Sequence, residues 1–476
     1  MAIHANLSND ALVALKSRKR KETMTSLVIS FLSLLLGGIL LSLFLIPRTI
    51  VVTPTFVTYI EKTEEPEKIE EKPKPTIQKR PARPSSHRSK VITTTALTEV
   101  SVPVPDFDVD VPSVEYGNSI DFGNGSGFTP NGSLFDGIPS EMKKRCSPED
   151  RRRRLQEAGG LPQSEKAVMK SLRWIKNTQN KDGSWGDRFK VSMTGFSILA
   201  YLGHCEHPNS PEFGESVTRG LTYLINVGMR NDGRLTELNA NSTQWVYEHG
   251  IATYALAEAY TFCKQLKIDI PNLEESTKKG GDIIIDGQSS SGGWVYRYGT
   301  NGAGDNSVGF WQIQALKACK HTGLWHKTKF RKTIRDALAY LEKVQGQNGA
   351  IGYRNDPKRS PELTGGGVLA FQFWDKGGSR EARDGVEYIR KNAKFEWGDE
   401  SSNLYYHYYN AQAMINAGGD DWEWYNDMFQ KKLLDAQAED GSWNQRMKHG
   451  PVNKHMATCL ATFMLEVYYR FLPGTN

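Results

Sequence analysis

Asp305, Ser307, Glu248, His249 and His455 are the residues of this 476-residue chain whose types and neighbours best suit chemistry. The segment Gly304-Asp305-Asn306-Ser307-Val308-Gly309-Phe310-Trp311 opens one apolar helical run, and Trp245-Val246-Tyr247-Glu248-His249-Gly250 opens another. A carboxyl beside an imidazole supplies an acid or a base when partners face it across a cavity. Glu248 and His249, with Asp305 or His455 opposite, are therefore the candidate catalytic set. Each also has an ordinary role: Asp and Ser cap first helical turns, and a buried His completes a core. Candidate ligand-binding rings are Trp245, Tyr247, Trp294, Trp311, Tyr405 and Tyr408. The run Tyr405-Tyr406-His407-Tyr408-Tyr409 covers every face of a helix, so some rings reach the interior, where an apolar ligand, a carbohydrate or a peptide would stack.

The elements that must position these residues come from a repeated frame: a basic residue, a small one, an aromatic or aliphatic pair, Gln, then a Gly-x-Trp turn. Lys170 to Trp185 (KSLRWIKNTQNKDGSW) is the first copy. Later copies carry Tyr223-Leu224 with Gly233 and Leu235; Ile283-Ile284 with Gln288, Gly292 and Trp294; and Tyr340-Leu341 with Gln345, Gly349 and Ile351. Tyr388-Ile389 with Trp397 makes a fifth, and Gln437, Gly441 and Trp443 the last. A period of about fifty residues signals stacked helical units. After each turn comes an apolar run of helical period: 194–205, 250–262, 308–319, 363–374, 405–415 and 456–471. Segments ending at the Gln are amphipathic and suit an outer ring; the Ala-, Gly- and Leu-rich runs suit an inner one.

This frame resembles the QW repeat of terpenoid cyclases and protein prenyltransferases over about residues 145 to 476. The resemblance implies an all-α domain at 141–476, an (α/α)6 toroid of six helical hairpins with Gln and Trp bracing neighbouring outer helices and one mouth lined by inner-helix N-termini. It also places Asp305, Ser307 and His455 where prenyltransferase β subunits hold zinc with Asp, Cys and His. A serine hydroxyl is a poor substitute for a thiolate, so no metal and no other cofactor is expected. The Asp-x-Asp-Asp acid of the cyclase branch is missing from every repeat, so standard cyclisation is not expected unless Asp305 or Glu248 has taken that role. The thioester segment of complement-type relatives, Cys-Gly-Glu-Gln, is missing too.

Upstream, Lys16, Arg18, Lys19, Arg20 and Lys21 precede an uncharged apolar stretch at 26–46. That length suits one transmembrane helix, and the basic side faces the cytoplasm. Residues 1–25 are then a cytoplasmic head, and 47–140 a disordered or extended linker rich in Pro, Glu and Lys. This layout resembles TonB-type energy transducers. Asp106, Asp108 and Asp110 read as an acidic extended face rather than a metal site. The expected location is the inner membrane of the cell, single-pass, with the toroid periplasmic or otherwise extracytoplasmic.

The net charge of +6 comes from local runs and does not mark a nucleic-acid surface. Arg151 to Arg154 suit a solvated helix beside the ring, or contact with anionic headgroups. Five cysteines form an odd set with no CxxC; three end inner runs, where core packing is the expectation. No phosphate loop, nucleophile elbow or zincin motif occurs. Two functions stay open. One is a toroid that binds an apolar, isoprenoid-like or polymeric ligand, or an envelope protein partner. The other is an isoprenoid-processing enzyme using Asp305, His249, Glu248 and His455.

Overall fold

The computed structural model describes residues 145–239, 241–299, 301–326, 328–445 and 453–470. The expected head, membrane span and linker, with Asp106, Asp108 and Asp110, lie outside the described residues. Among those described, no helix is long and apolar enough to cross a membrane.

The described chain is all-α. A short helix α1 (Pro148–Glu157) leads into α2 (Pro162–Asn177), α3 (Lys190–Gly203), α4 (Gly214–Arg230), α5 (Trp245–Leu266), α6 (Leu273–Asp286) and α7 (Asn306–Thr322). Then follow α8 (Arg331–Val344), α9 (Thr364–Phe373), α10 (Arg380–Asn392), α11 (Leu404–Ala417), α12 (Gly419–Asp435) and α13 (Lys454–Glu466). Two kinds alternate, as the sequence periodicity requires. Helices α4, α8 and α10 bury one apolar stripe, for example Ile334, Leu338 and Leu341 of α8. Helices α3 and α9 are buried on nearly every face. A helix apolar all round has to sit between layers, and it does: α3 packs on α5, α5 on α7, α7 on α9, α9 on α11 and α11 on α13, and α13 packs back on α3. The ring is closed. The amphipathic helices lie against it, with α2 on α13, α6 on α5 and α7, and α12 on α11.

The recurring Gln and Trp hold the layers in register. Trp185, Trp294 and Trp443 are fully buried, and each indole N–H donates to the carbonyl ten residues back, Ile175, Ile284 and Leu433, at 2.6–2.8 Å. Each Gln amide donates twice, once within its own turn and once to the next outer helix. Gln179 reaches Gly183 and Ser216, and Gln288 reaches Gly292 and Thr333. Gln437 reaches Gly441 at 2.9 Å and, across the ring closure, Ala167 at 2.9 Å. The turn glycine is required on two counts. Gly441 has φ +92°, and a Cβ there would stand 2.4 Å from the Lys170 carbonyl, so only glycine lets the last unit touch the first.

Two expectations are corrected. In the fifth unit Phe395 is buried and Trp397 only half-buried, so the ring that fills the tryptophan place is Phe395. Of the cysteines, Cys263, Cys319 and Cys459 are buried thiols, as expected for core packing, but Cys205 is bonded to Cys146. Cys205 lies just past the end of α3 with φ +66°, and that left-handed turn carries its sulfur out of the helical core toward the segment before α1. The arginine run is solvated only in part: Arg152 and Arg153 pair with Glu149, Asp150 and Glu157 on the exposed face of α1, whereas Arg151 turns inward to pair with Glu165 at 3.0 Å.

Candidate functional site

The first turns of the inner helices surround a cavity of about 780 Å³. Helix α3 contributes Ser192, Met193 and Phe196, preceded by Phe189; α5 contributes Tyr247, Glu248 and Ile251; α7 contributes Ser307 and Trp311. The loop before α9 gives Tyr353, Arg359 and Leu363, and α11 and α13 give Tyr405, Tyr406 and Met456. The wall is aromatic and aliphatic. Among the described lining residues Glu248 is the one acid and Arg359 the one base.

Asp305 sits behind this wall. It is the N-cap of α7, almost fully buried, and its Oδ1 accepts the Ser307 N–H at 3.0 Å and the Ser307 hydroxyl at 2.5 Å. With its hydrogen committed to the carboxylate, Ser307 Oγ must accept from the Tyr247 hydroxyl, 2.7 Å away. The result is a directed chain, Tyr247 to Ser307 to Asp305. Tyr247 and Ser307 line the cavity and Asp305 does not; there Tyr247 presents oxygen lone pairs. Burial, then the neighbouring Tyr405 and Asp305, hold the Tyr247 phenol well above its ordinary pKa. Tyr405 completes the network: it donates to the Ser307 carbonyl at 2.8 Å and accepts from the Trp311 indole at 3.1 Å.

Glu248 faces the cavity from the next position along α5. Its Oε2 accepts the Thr236 hydroxyl at 2.6 Å, and burial pushes its pKa up to about 6 despite that bond. A carboxyl in an apolar wall is favoured in its neutral form, which is the form that can give a proton.

The structure does not assemble the expected acid–base set. His249 points away from the cavity: Nδ1 accepts the Leu235 N–H at 2.9 Å, so the proton is on Nε2, which donates to the Gly280 carbonyl at 3.1 Å. Thr194, Thr364 and Thr458 do the same work in other units, each hydroxyl accepting the N–H of Trp185, Ile351 or Trp443. His249 therefore substitutes for a threonine that ties the turn to the inner helix. His455 is wedged between α13 and α3, with Nε2 2.7 Å from the Ser197 hydroxyl and its ring 5.6 Å from that of Trp174. Burial lowers the pKa of both imidazoles to about 4. Neither lines the cavity: His249 faces the turn and the outer helix α6, and His455 fills the seam between α13 and α3.

The six expected ligand rings divide evenly. Tyr247, Trp311 and Tyr405 line the cavity. Trp294 braces its turn, and Trp245 packs edge-on against Tyr298 at 4.8 Å. Tyr408 lies behind the wall, stacked on Trp311 at 5.4 Å and donating to Gln314 at 2.8 Å. Among the residues not singled out as ligand contacts, Phe189, Met193, Phe196 and Met456 surround the mouth. Their signal was available, because each lies within the first two turns of an inner run or just before it.

No known family matches the chain, and no curated protein matches it. Among solved structures the chain is similar to the type II terpene cyclase MstE from Scytonema, at 12% identity and a TM-score of 0.43, covering 65% of this chain and 98% of that one. A variant of that cyclase in complex with geranylgeranyl dihydroxybenzoate, its substrate, aligns at 11% identity and 0.42, covering 65% and 97%. A protein from Actinoplanes aligns at 13% and 0.40, covering 64% and 99%. The site is read from this chain's own residues.

Proposed function

We propose that this chain is a membrane-anchored toroid of six helical hairpins whose chamber binds an elongated apolar ligand of isoprenoid type. The N-terminal span and polar arm hold it on the extracytoplasmic side of the inner membrane. The observation that carries the reading is the chamber itself, whose volume falls within the roughly 300–1,000 Å³ usual for small-ligand sites. Its wall offers Phe196, Trp311, Tyr405 and Met456 and a single carboxyl. Burying about ten CH2 groups there is worth about 8 kcal/mol before association costs, enough for binding without catalysis. The extracytoplasmic placement is supported by the Cys146–Cys205 bond, which belongs to oxidising compartments. The same mouth also suits a polymeric ligand or an envelope protein partner.

A second reading, an isoprenoid-processing enzyme, draws support from Glu248 alone. Its pKa, raised to about 6, keeps more of the neutral acid available than an exposed carboxyl would, on an apolar wall beside rings able to stabilise a carbocation. Proton transfer from Glu248 to an alkene would use the alkene's π pair for the new C–H bond, leaving a carboxylate held by Thr236. Asp305 is buried behind Ser307 and does not line the chamber.

The two readings part on one experiment. The full chain in non-ionic detergent is incubated with geranylgeraniol, and the ligand is then extracted and analysed by mass and chromatography. Recovery of bound, unchanged alcohol supports the binder. An isomer of equal mass, absent with Glu248→Gln, supports the enzyme. Failure of both wild type and Trp311→Ala to retain any alcohol overturns the chamber as a ligand site.

A further inference from the structure

One short loop between α8 and α9 brings two arginines to the chamber's mouth. Arg359 lies over the Tyr353 ring, 4.5 Å from its centroid, and Arg354 lies over the same ring at 5.2 Å and over Tyr296 at 5.8 Å. Both arginines are exposed, and neither forms an ion pair with a described residue. The neighbouring Asp356 is turned to its own loop, its Oδ1 accepting the Lys358 N–H at 3.0 Å. An arginine seated on an aromatic face keeps its guanidinium edges free for another group.

The loop is built to hold this arrangement. Asn306, at the start of α7, donates from Nδ2 to the carbonyls of Gly352 at 2.7 Å and Arg354 at 2.9 Å. Tyr353 N–H donates to the Arg359 carbonyl at 2.6 Å, closing the loop at its neck, and the Tyr353 hydroxyl lies 2.9 Å from that of Tyr296. Arg354 and Ser360 both take left-handed backbone, φ +57° and +52°, a conformation that costs about 1 kcal/mol or more at each non-glycine residue. Two strained residues and a buried asparagine thus fix two guanidinium groups at the edge of an apolar chamber. Glu248, the chamber's acid, is on α5, whereas this loop precedes α9, two inner helices further round the ring.

We infer that the chamber's ligand is an anionic amphiphile, with its chain among the aromatic rings and its carboxylate or phosphate head on Arg359 and Arg354. This rests on the reading of the chamber as a site for an apolar chain. Guanidinium groups recognise both heads through paired N–H donors, and a head at the mouth stays near water while the chain is buried.

The test uses the full chain in non-ionic detergent and three probes sharing one eighteen-carbon chain: oleate, oleyl phosphate and oleyl alcohol. Binding is read from quenching of tryptophan fluorescence. Both anions are expected to bind about tenfold more tightly than the alcohol at low salt, with the preference shrinking at high salt. The double variant Arg354→Gln/Arg359→Gln should lose that preference and keep alcohol affinity within about twofold, with an unchanged melting temperature. Tyr353→Leu, which removes the seat and not the charges, should reduce the preference for the anions over the alcohol by less than the double variant does. The stronger of the two anions identifies a carboxylate or a phosphate ligand. Equal affinity for all three probes in the wild type, or equal losses for all three in the double variant, overturns the anionic head while leaving the chamber reading intact. Failure of all three to bind overturns both.

Discussion

Arg145 and Glu258 face each other with their charged atoms 3.7 Å apart and side-chain exposures of 0% and 2%. Arg145 enters from the segment before α1, lies over the Phe262 ring at 5.1 Å, and is followed at once by the cysteine bonded to Cys205. Glu466 and Arg470 complete a buried cluster of ionisable side chains with Arg145 and Glu258. A charge removed from water is tolerated only while its partner stays, so breaking the pair is costly. Arg145→Ala is expected to destabilise the ring by about 3–5 kcal/mol in urea unfolding, far more than Arg152→Ala on the exposed face of α1. A loss equal to that of Arg152→Ala would show that the pair adds nothing.

The same cluster predicts a dependence on pH. Burial pushes the Glu466 pKa up from 4.5 to about 8, against the pull of Arg470, His204 and Arg145. The folded chain then holds a proton that the unfolded chain has released anywhere between those values. Stability contributed by this group is fully present below about pH 4.5 and is lost as pH rises through about 8. Glu466→Gln removes that loss, so the variant should melt higher than the parent near pH 9 and close to it near pH 4. A variant that melts lower at both would mean that the carboxylate is the favoured form.

The disulfide makes a chemical prediction. Alkylation of the unfolded, unreduced chain should modify Cys263, Cys319 and Cys459 and spare Cys146 and Cys205, giving three additions, and five after reduction. Cys205→Ser should cost about 2–4 kcal/mol, and adding Cys146→Ser should cost little more, because both remove one bond. Five additions without reduction would exclude the bond.

How much of this was legible in the sequence follows from how each contact is encoded. Gln437 and Gly441 bond within one turn, and Trp443 reaches Leu433 ten residues back, so fixed spacings exposed the bracing and with it the layered ring. Facing the cavity is not a matter of spacing alone. Tyr247 and Glu248 look inward and Trp245 and His249 outward because the rotation of α5 is set by packing on α3 and α7, which no local pattern records. The Arg145–Glu258 pair was hidden for a related reason, since 113 positions separate residues that only the assembled fold brings together. The role of His249 is not legible from its residue type, because its threonine counterparts are chemically unlike it although all four accept one turn N–H.

That equivalence gives the last prediction. His249 Nδ1 accepts the Leu235 N–H in a buried site, so a replacement must supply an acceptor at the same place. Asparagine can do so through Oδ1; leucine keeps the bulk and leaves the N–H unpaired, at a cost of about 1–3 kcal/mol. His249→Asn should therefore be more stable than His249→Leu, with ligand affinity unchanged in both, as measured by urea unfolding and by fluorescence binding. Protonation acts as leucine does, because it places a hydrogen on Nδ1. With its pKa lowered from 6.5 to about 4, His249 contributes stability above about pH 6.5 that is lost as pH falls through about 4. The acid-side loss of melting temperature should then be shallower in His249→Asn than in the parent. An unchanged acid limb, together with loss of ligand binding in both variants, would return His249 to the site and remove it from the turn.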